Sequence, residues 1–90
     1  MKRYHVEVHG NVQGVGFRQF TQSEAVKHNI HGWVRNKANG VVEIEAEGTP
    51  QDMDRFLVAV QEGSPFSTVE RLETSDIDSV DHNESFDVRF

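Results

Sequence analysis

The segment Gly10-Asn11-Val12-Gln13-Gly14-Val15-Gly16-Phe17-Arg18 joins a strand-like stretch before it to a helix-like stretch after it. On its N-terminal side Tyr4, Val6 and Val8 alternate with His5, Glu7 and His9, the period of a half-buried strand. On its C-terminal side no breaker interrupts Phe17 to His28, and Asn29, which tolerates the left-handed conformation, ends the run. The glycines let the intervening loop curl so that successive N–H groups face one point. Free amides at a helix start, reinforced by the helix dipole, make an anion site. Arg18 fits that reading. A cation in the first helical turn opposes the dipole, and is better placed if an anion shares the space and takes the guanidinium bidentately. A plain strand-to-helix connection carrying an exposed Arg is the competing reading of these residues alone.

Outward from this joint, His31 to Lys37 reads as a second strand around Trp33 and Val34, closed by the turn Ala38-Asn39-Gly40. Val42, Ile44 and Ala46 then alternate with Glu43, Glu45 and Glu47, a strand with an acidic outer face. Thr49 as N-cap, Pro50 at the first helical position and Asp52 in the first turn open a second helix. Its buried stripe is Met53, Phe56, Leu57 and Val60, and Gly63-Ser64-Pro65 stops it. Val69 to Thr74 is a fourth strand, in which the opposite parity of Val69 and Leu72 predicts a bulge. Asp76 to Ser85 is an acidic loop, and Phe86, Val88 and Phe90 form a short closing strand.

The order β-α-β-β-α-β plus a terminal strand predicts an α+β, ferredoxin-like two-layer sandwich: an antiparallel sheet with two helices on one face. The first and second strands then run parallel with the third between them. Their C-terminal ends share one sheet edge, two strand spacings or roughly 10 Å apart. The glycine loop and Arg35-Asn36-Lys37 therefore face the same space.

Ninety residues without a linker or repeat make one domain, 1–90. The absence of cysteine excludes disulfides and thiolate metal sites. No signal peptide and no transmembrane-length apolar run is present, so a cytoplasmic location without membrane association is expected. The net charge of −6 is unevenly spread. Met1 to Val42 carries six Lys/Arg against two acids, whereas Glu43 to Phe90 carries three against thirteen. That pattern suits a small anion held by the first half and argues against nucleic acid, which needs an extended basic face.

Asn36 is the polar residue to single out at the shared edge. It could simply initiate a turn, but opposite an anion cradle its carboxamide can hold a water by donating and accepting hydrogen bonds. Neither stretch holds a carboxylate, so no Mg²⁺ site and no cofactor is expected there. His5 and His9 share a strand face without an evident third metal ligand, and solvated histidines are the better reading. Asp76, Asp78, Asp81 and Glu84 lack the glycine and spacing of a calcium loop.

Gly10 to Arg18 resembles the first signature of the acylphosphatase family, and Gly32-Trp33-Val34-Arg35-Asn36, followed by Gly40, Val42 and Gly48, resembles the second. The resemblance spans the whole chain and implies the same βαββαβ sandwich. It implies metal-independent hydrolysis of the carboxyl-phosphate bond of small acyl phosphates. It also implies Arg18 as the phosphate-binding arginine, Asn36 as the residue orienting the attacking water, and the amides of Gln13, Gly14, Val15, Gly16, Phe17 and Arg18 as the cradle. Asn11 stands where the family often has a basic residue, and Lys37 where some members have a hydroxyl. The alternative is a non-catalytic anion-binding regulatory module on the same fold. An RNA-binding domain is disfavoured by charge and by the missing aromatic motif. The chain is expected to be monomeric.

Overall fold

The computed structural model describes residues 1–90. It contains strands β1 (Lys2–Asn11), β2 (His31–Asn36), β3 (Val42–Gly48), β4 (Thr68–Asp76) and β5 (Phe86–Val88), with helices α1 (Phe17–Lys27) and α2 (Pro50–Glu62). The sheet order is β4-β1-β3-β2-β5. β3 thus lies between the parallel strands β1 and β2, as the sequence pattern predicts, and is antiparallel to both.

Local signals account for most element boundaries. Thr49 caps α2 by accepting from the Asp52 N–H at 3.1 Å, with Pro50 in the first turn behind it. Met53, Phe56 and Val60 are fully buried, and Leu57 packs at the edge of the core. Asn29 takes the left-handed conformation, φ 59°, and turns the chain from α1 into β2. Between β2 and β3 the Lys37 N–H donates to Val41 O at 2.8 Å, and Asn39 Oδ1 accepts the Val41 N–H at 3.2 Å. The predicted bulge is present. Arg71 pairs with His9 and Val69 with Gly10, so Glu70 is the extra residue that restores Val69 and Leu72 to the core side.

The closing strand departs from an all-antiparallel sheet, because β5 pairs with β2 in parallel. The path of the chain explains this. β4 ends beside the start of β1 at one edge, and residues 77–85 cross the end of the sheet to the other edge. The Ile77 N–H donates to Arg3 O at 3.1 Å, and the Gly32 N–H to Ser85 O at 2.9 Å. The chain therefore enters β5 from the end at which β2 begins. Strand pairing stops at Val88, leaving Phe90 exposed rather than in the core.

The core lies between the helices and one sheet face, built on Val6, Val8, Val34, Val42, Ile44, Phe17, Phe56 and Phe86. The other sheet face is an ion-pair layer. The acidic row of β3 is answered by Arg3 on Glu47 and by His5 and Arg35 on Glu43. Lys37 pairs with Glu7 at 2.7 Å. Trp33 is buried on this face, outside the main core cluster, between the guanidinium groups of Arg35 and Arg89. Burial pushes the Glu43 carboxyl up, but hydrogen bonds from His5 and Arg35 outweigh it and hold the group below its usual range. The hydrogen bond from Lys37 lowers Glu7 in the same direction. Carboxyls depressed in the folded state add stability above the usual value of 4.5, and that stability is lost as pH falls through the folded value.

Candidate active site

β1 delivers the chain to a turn in which Gly14 and Gly16 have φ of 74° and 76°. A Cβ at either position would meet nothing within 4 Å, so the backbone conformation, not crowding, calls for glycine. Gly16 is the N-cap of α1, and no side chain caps the helix. The backbone N–H groups of Gln13, Gly14, Val15 and Gly16 donate to no protein acceptor. Those of Phe17, Arg18 and Gln19 have no intrahelical partner by position. From Gln13 to Gln19 the chain thus presents a run of free donors, without an acidic residue in the first turn.

Arg18 is half-buried and held from the far end of the sequence. Its Nη1 donates to Arg89 O at 2.9 Å, and its guanidinium lies 4.7 Å from the centre of the Phe90 ring. The remaining donors of the fork are left for a ligand. Asn36 ends β2 on the same sheet face as Val34, toward α1, and its Oδ1 is buried with no hydrogen-bond partner. An unpaired buried acceptor costs about 1–3 kcal/mol. Such an atom calls for a functional explanation.

These groups meet. A pocket of about 110 Å³ is lined by Val12, Gly14, Gly16, Phe17, Arg18, Gln19, Asn36, Val88 and Phe90. Water fills roughly 30 Å³ per molecule in the liquid, so the space suits a phosphoryl-sized group with a water beside it. No acidic side chain lines it. A broader hollow between α2 and β4, lined in part by Asp54, Leu57 and Glu62, contains no cation and is no anion site.

Of the six predicted cradle residues, Gly14, Gly16, Phe17 and Arg18 line the pocket, while Gln13 and Val15 do not. Val15 packs against the core. Gln13 turns its side chain to the β2–β3 connection, where Nε2 donates to Lys37 O at 2.7 Å and Val41 O at 3.0 Å. One side chain therefore ties the cradle to the hairpin that begins at Asn36. The sequence reading missed this clamp, along with Val88, Arg89 and Phe90 at the pocket. The Gln13 side chain is a polar group in a glycine loop with no local partner, and that is its only sequence signal. The contacts of the chain end span about seventy residues and leave none.

The acylphosphatase family model matches residues 4–88. The chain belongs to the acylphosphatase family. An acylphosphatase of Bacillus licheniformis is 46% identical over 90 residues, covering all of both chains. The crystal structure of the Bacillus subtilis acylphosphatase superposes with a TM-score of 0.93 at 42% identity, again covering all of both chains. An acylphosphatase structure from Coxiella burnetii gives 0.89 at 33% identity, covering 98% of this chain and 92% of the other. With the family comes its class of activity, acyl-phosphate hydrolysis, on a ferredoxin-like α+β sandwich. No helix of the structure is long and apolar enough to cross a membrane.

Proposed function

We propose that Arg18, the amides of residues 13–18 and Asn36 carry the hydrolysis of small acyl phosphates to a carboxylate and inorganic phosphate. The observation that supports this reading best is the convergence, in one small pocket, of the Arg18 donors not used by Arg89 O, the unpaired N–H donors of the glycine loop and the orphaned Asn36 Oδ1. Arg18 and the amides hold the phosphoryl oxygens and spread the charge that moves onto them. Asn36 Oδ1 accepts one hydrogen of a water and points its oxygen at phosphorus, in line with the departing oxygen. The new P–O bond forms as the bond to the carboxyl oxygen breaks. The carboxylate leaves with the electron pair, and the proton lost by the water ends on the phosphate product.

A carboxylate leaving group has a conjugate-acid pKa near ~4, so it departs without a general acid. Positioning and charge stabilisation are sufficient, and a metal is not required by this chemistry. The same reading takes the 90 residues as one catalytic domain, monomeric and cytoplasmic, without a nucleic-acid partner.

The test is phosphate release from an aryl acyl phosphate in EDTA, wild type against Asn36→Ala, corrected for spontaneous hydrolysis. The Asn36–water hydrogen bond joins two neutral groups and is worth about 0.5–1.5 kcal/mol, so its loss corresponds to roughly a two- to tenfold fall in turnover. Inorganic phosphate should still compete with nearly unchanged affinity. A large loss of phosphate affinity in Asn36→Ala would sink the water-orienting role. Phosphate binding by the wild type without turnover would instead favour the non-catalytic anion-binding module.

A further inference from the structure

The end of the sheet opposite the pocket carries a second constellation. His31 opens β2, Glu47 stands near the end of β3, and the two are direct cross-strand partners. The 77–85 segment, anchored at Arg3 O and Gly32 N, lays His82 onto the same spot. His82 Nε2 lies 2.9 Å from Glu47 Oε2, and its ring centre 5.0 Å from that of His31. One ligand atom from each of the three residues lies within 4.8 Å of the other two. All three are partly buried, with Glu47 and His82 side chains each 15% exposed. His31 makes no hydrogen bond to the protein through its side chain, so its ring nitrogen is free.

We propose that His31, Glu47 and His82 form a binding site for a divalent transition-metal cation, Zn²⁺ by preference, that clamps the 77–85 segment across the end of the sheet. Two imidazoles and one carboxylate are a donor set suited to zinc, with water as fourth ligand. Donors on one tetrahedral zinc stand roughly 3.3 Å apart, given bonds of about 2.0–2.1 Å. The His31 ring therefore closes by no more than about 1.5 Å, within reach of a side-chain rotation. Arg3 Nε holds Glu47 Oε1 at 2.7 Å, which leaves Oε2 directed at the site, the role of an outer partner.

Binding rearranges two contacts, because the hydrogen bond from His82 Nε2 to Glu47 Oε2 also gives way to the cation. The exposed Glu84 N–H donates to His82 Nδ1 at 2.9 Å, which places the neutral ring's proton on Nε2. With the cation on Nε2 that proton moves to Nδ1, and the Glu84 N–H turns to water. A second trio, Glu7, His9 and Glu73, is a poorer candidate, because the Lys37 ammonium already occupies Glu7 Oε2 at 2.7 Å.

The experiment is a calorimetric and thermal-shift titration of the full chain with Zn²⁺ in a non-chelating buffer near neutral pH. The wild type should bind one Zn²⁺ per chain and gain roughly 5 °C or more in Tm at saturation. The effect should disappear in His31→Ala and Glu47→Gln and persist in His9→Ala. His31→Ala breaks no hydrogen bond, so it should fold, and its Tm without metal verifies that. Absence of saturable binding in the wild type overturns the proposal. So does binding that survives His31→Ala or is lost in His9→Ala. The site lies five residues along β2 from Asn36, roughly 16 Å away. Acyl-phosphate turnover in EDTA should therefore be the same in wild type and His31→Ala, and the outcome is separable from that of the catalytic reading.

Discussion

The two helices of this molecule begin in opposite ways. α2 is complete in itself: Thr49 caps it, Pro50 fits the first turn, and Asp52 meets the dipole. α1 lacks all three. Its N-cap is a left-handed glycine without a side chain, its first turn holds no acid, and Arg18 sits where a cation opposes the dipole. Both helices pack on the same sheet face, so tertiary context does not explain the difference. The deficits at α1 are what an anion would supply, and they open onto the one pocket that also holds Asn36. A helix start left unfinished by its own sequence marks the binding end of this fold.

Arg18→Ala breaks that comparison hardest. It removes the fixed positive charge while leaving α1 and its amides in place. Turnover of an aryl acyl phosphate should fall at least tenfold, from the loss of about 1.5–3 kcal/mol. Phosphate, measured as a competitive inhibitor, should bind more weakly. Unchanged phosphate affinity would mean that the amides alone make the site.

Gln13→Ala asks whether the cradle must be fastened to β2. Lys37 O and Val41 O keep backbone donors from Gly40 and Lys37, so the hairpin should survive. Two hydrogen bonds to the loop are lost, at about 0.5–1.5 kcal/mol each. The expected result is a roughly three- to tenfold loss in kcat/KM, with a smaller change in Tm than a core substitution brings. Full activity in this variant would show that the loop holds its shape without the clamp.

Thr49→Ala turns to the finished helix. Removal of the cap should cost about 1 kcal/mol, or roughly 4–8 °C in Tm for a domain of this size. The kcat should not move, because α2 contributes nothing to the pocket.

Why some of this was legible beforehand and some was not follows from the range of the interactions. The caps of α2, the turn at Asn39-Gly40, the left-handed Asn29 and the bulge at Glu70 are written within a few adjacent residues. Period and parity therefore reveal them. The sheet order followed from the element order, and with it the meeting of the glycine loop with Asn36. The parallel pairing of β5 did not, since it depends on the path of residues 77–85 around the sheet end. Nor did the hold of Arg89 on Arg18, which joins residues far apart in the chain. The acidic row Glu43-Glu45-Glu47 reads as a solvated face, whereas Arg3, His5, Arg35 and His82 meet two of its three carboxylates from neighbouring segments. Cross-strand partners of that kind emerge only when register is known.

The smallest expected effect is the most discriminating, because it moves two readouts in opposite directions. Gln19 is exposed in the first turn of α1 and lines the pocket. Gln19→Asp gives α1 the acid that α2 already has in Asp52. As a helix substitution it should stabilise the fold by a few tenths of a kcal/mol up to about 1, and raise Tm by a few degrees. As a neighbour of the bound phosphoryl group it places like charge against like. The penalty near solvent is about 1 kcal/mol at 4 Å and less beyond, so kcat/KM should drop by a few-fold. Added salt should narrow that gap, since exposed charges separated by several ångströms are screened within a Debye length. A variant both more stable and less active would show that the open start of α1 is a concession of stability to anion binding. A variant with unchanged activity would mean that Arg18 and the amides dominate the local field so fully that one more charge at the rim is immaterial.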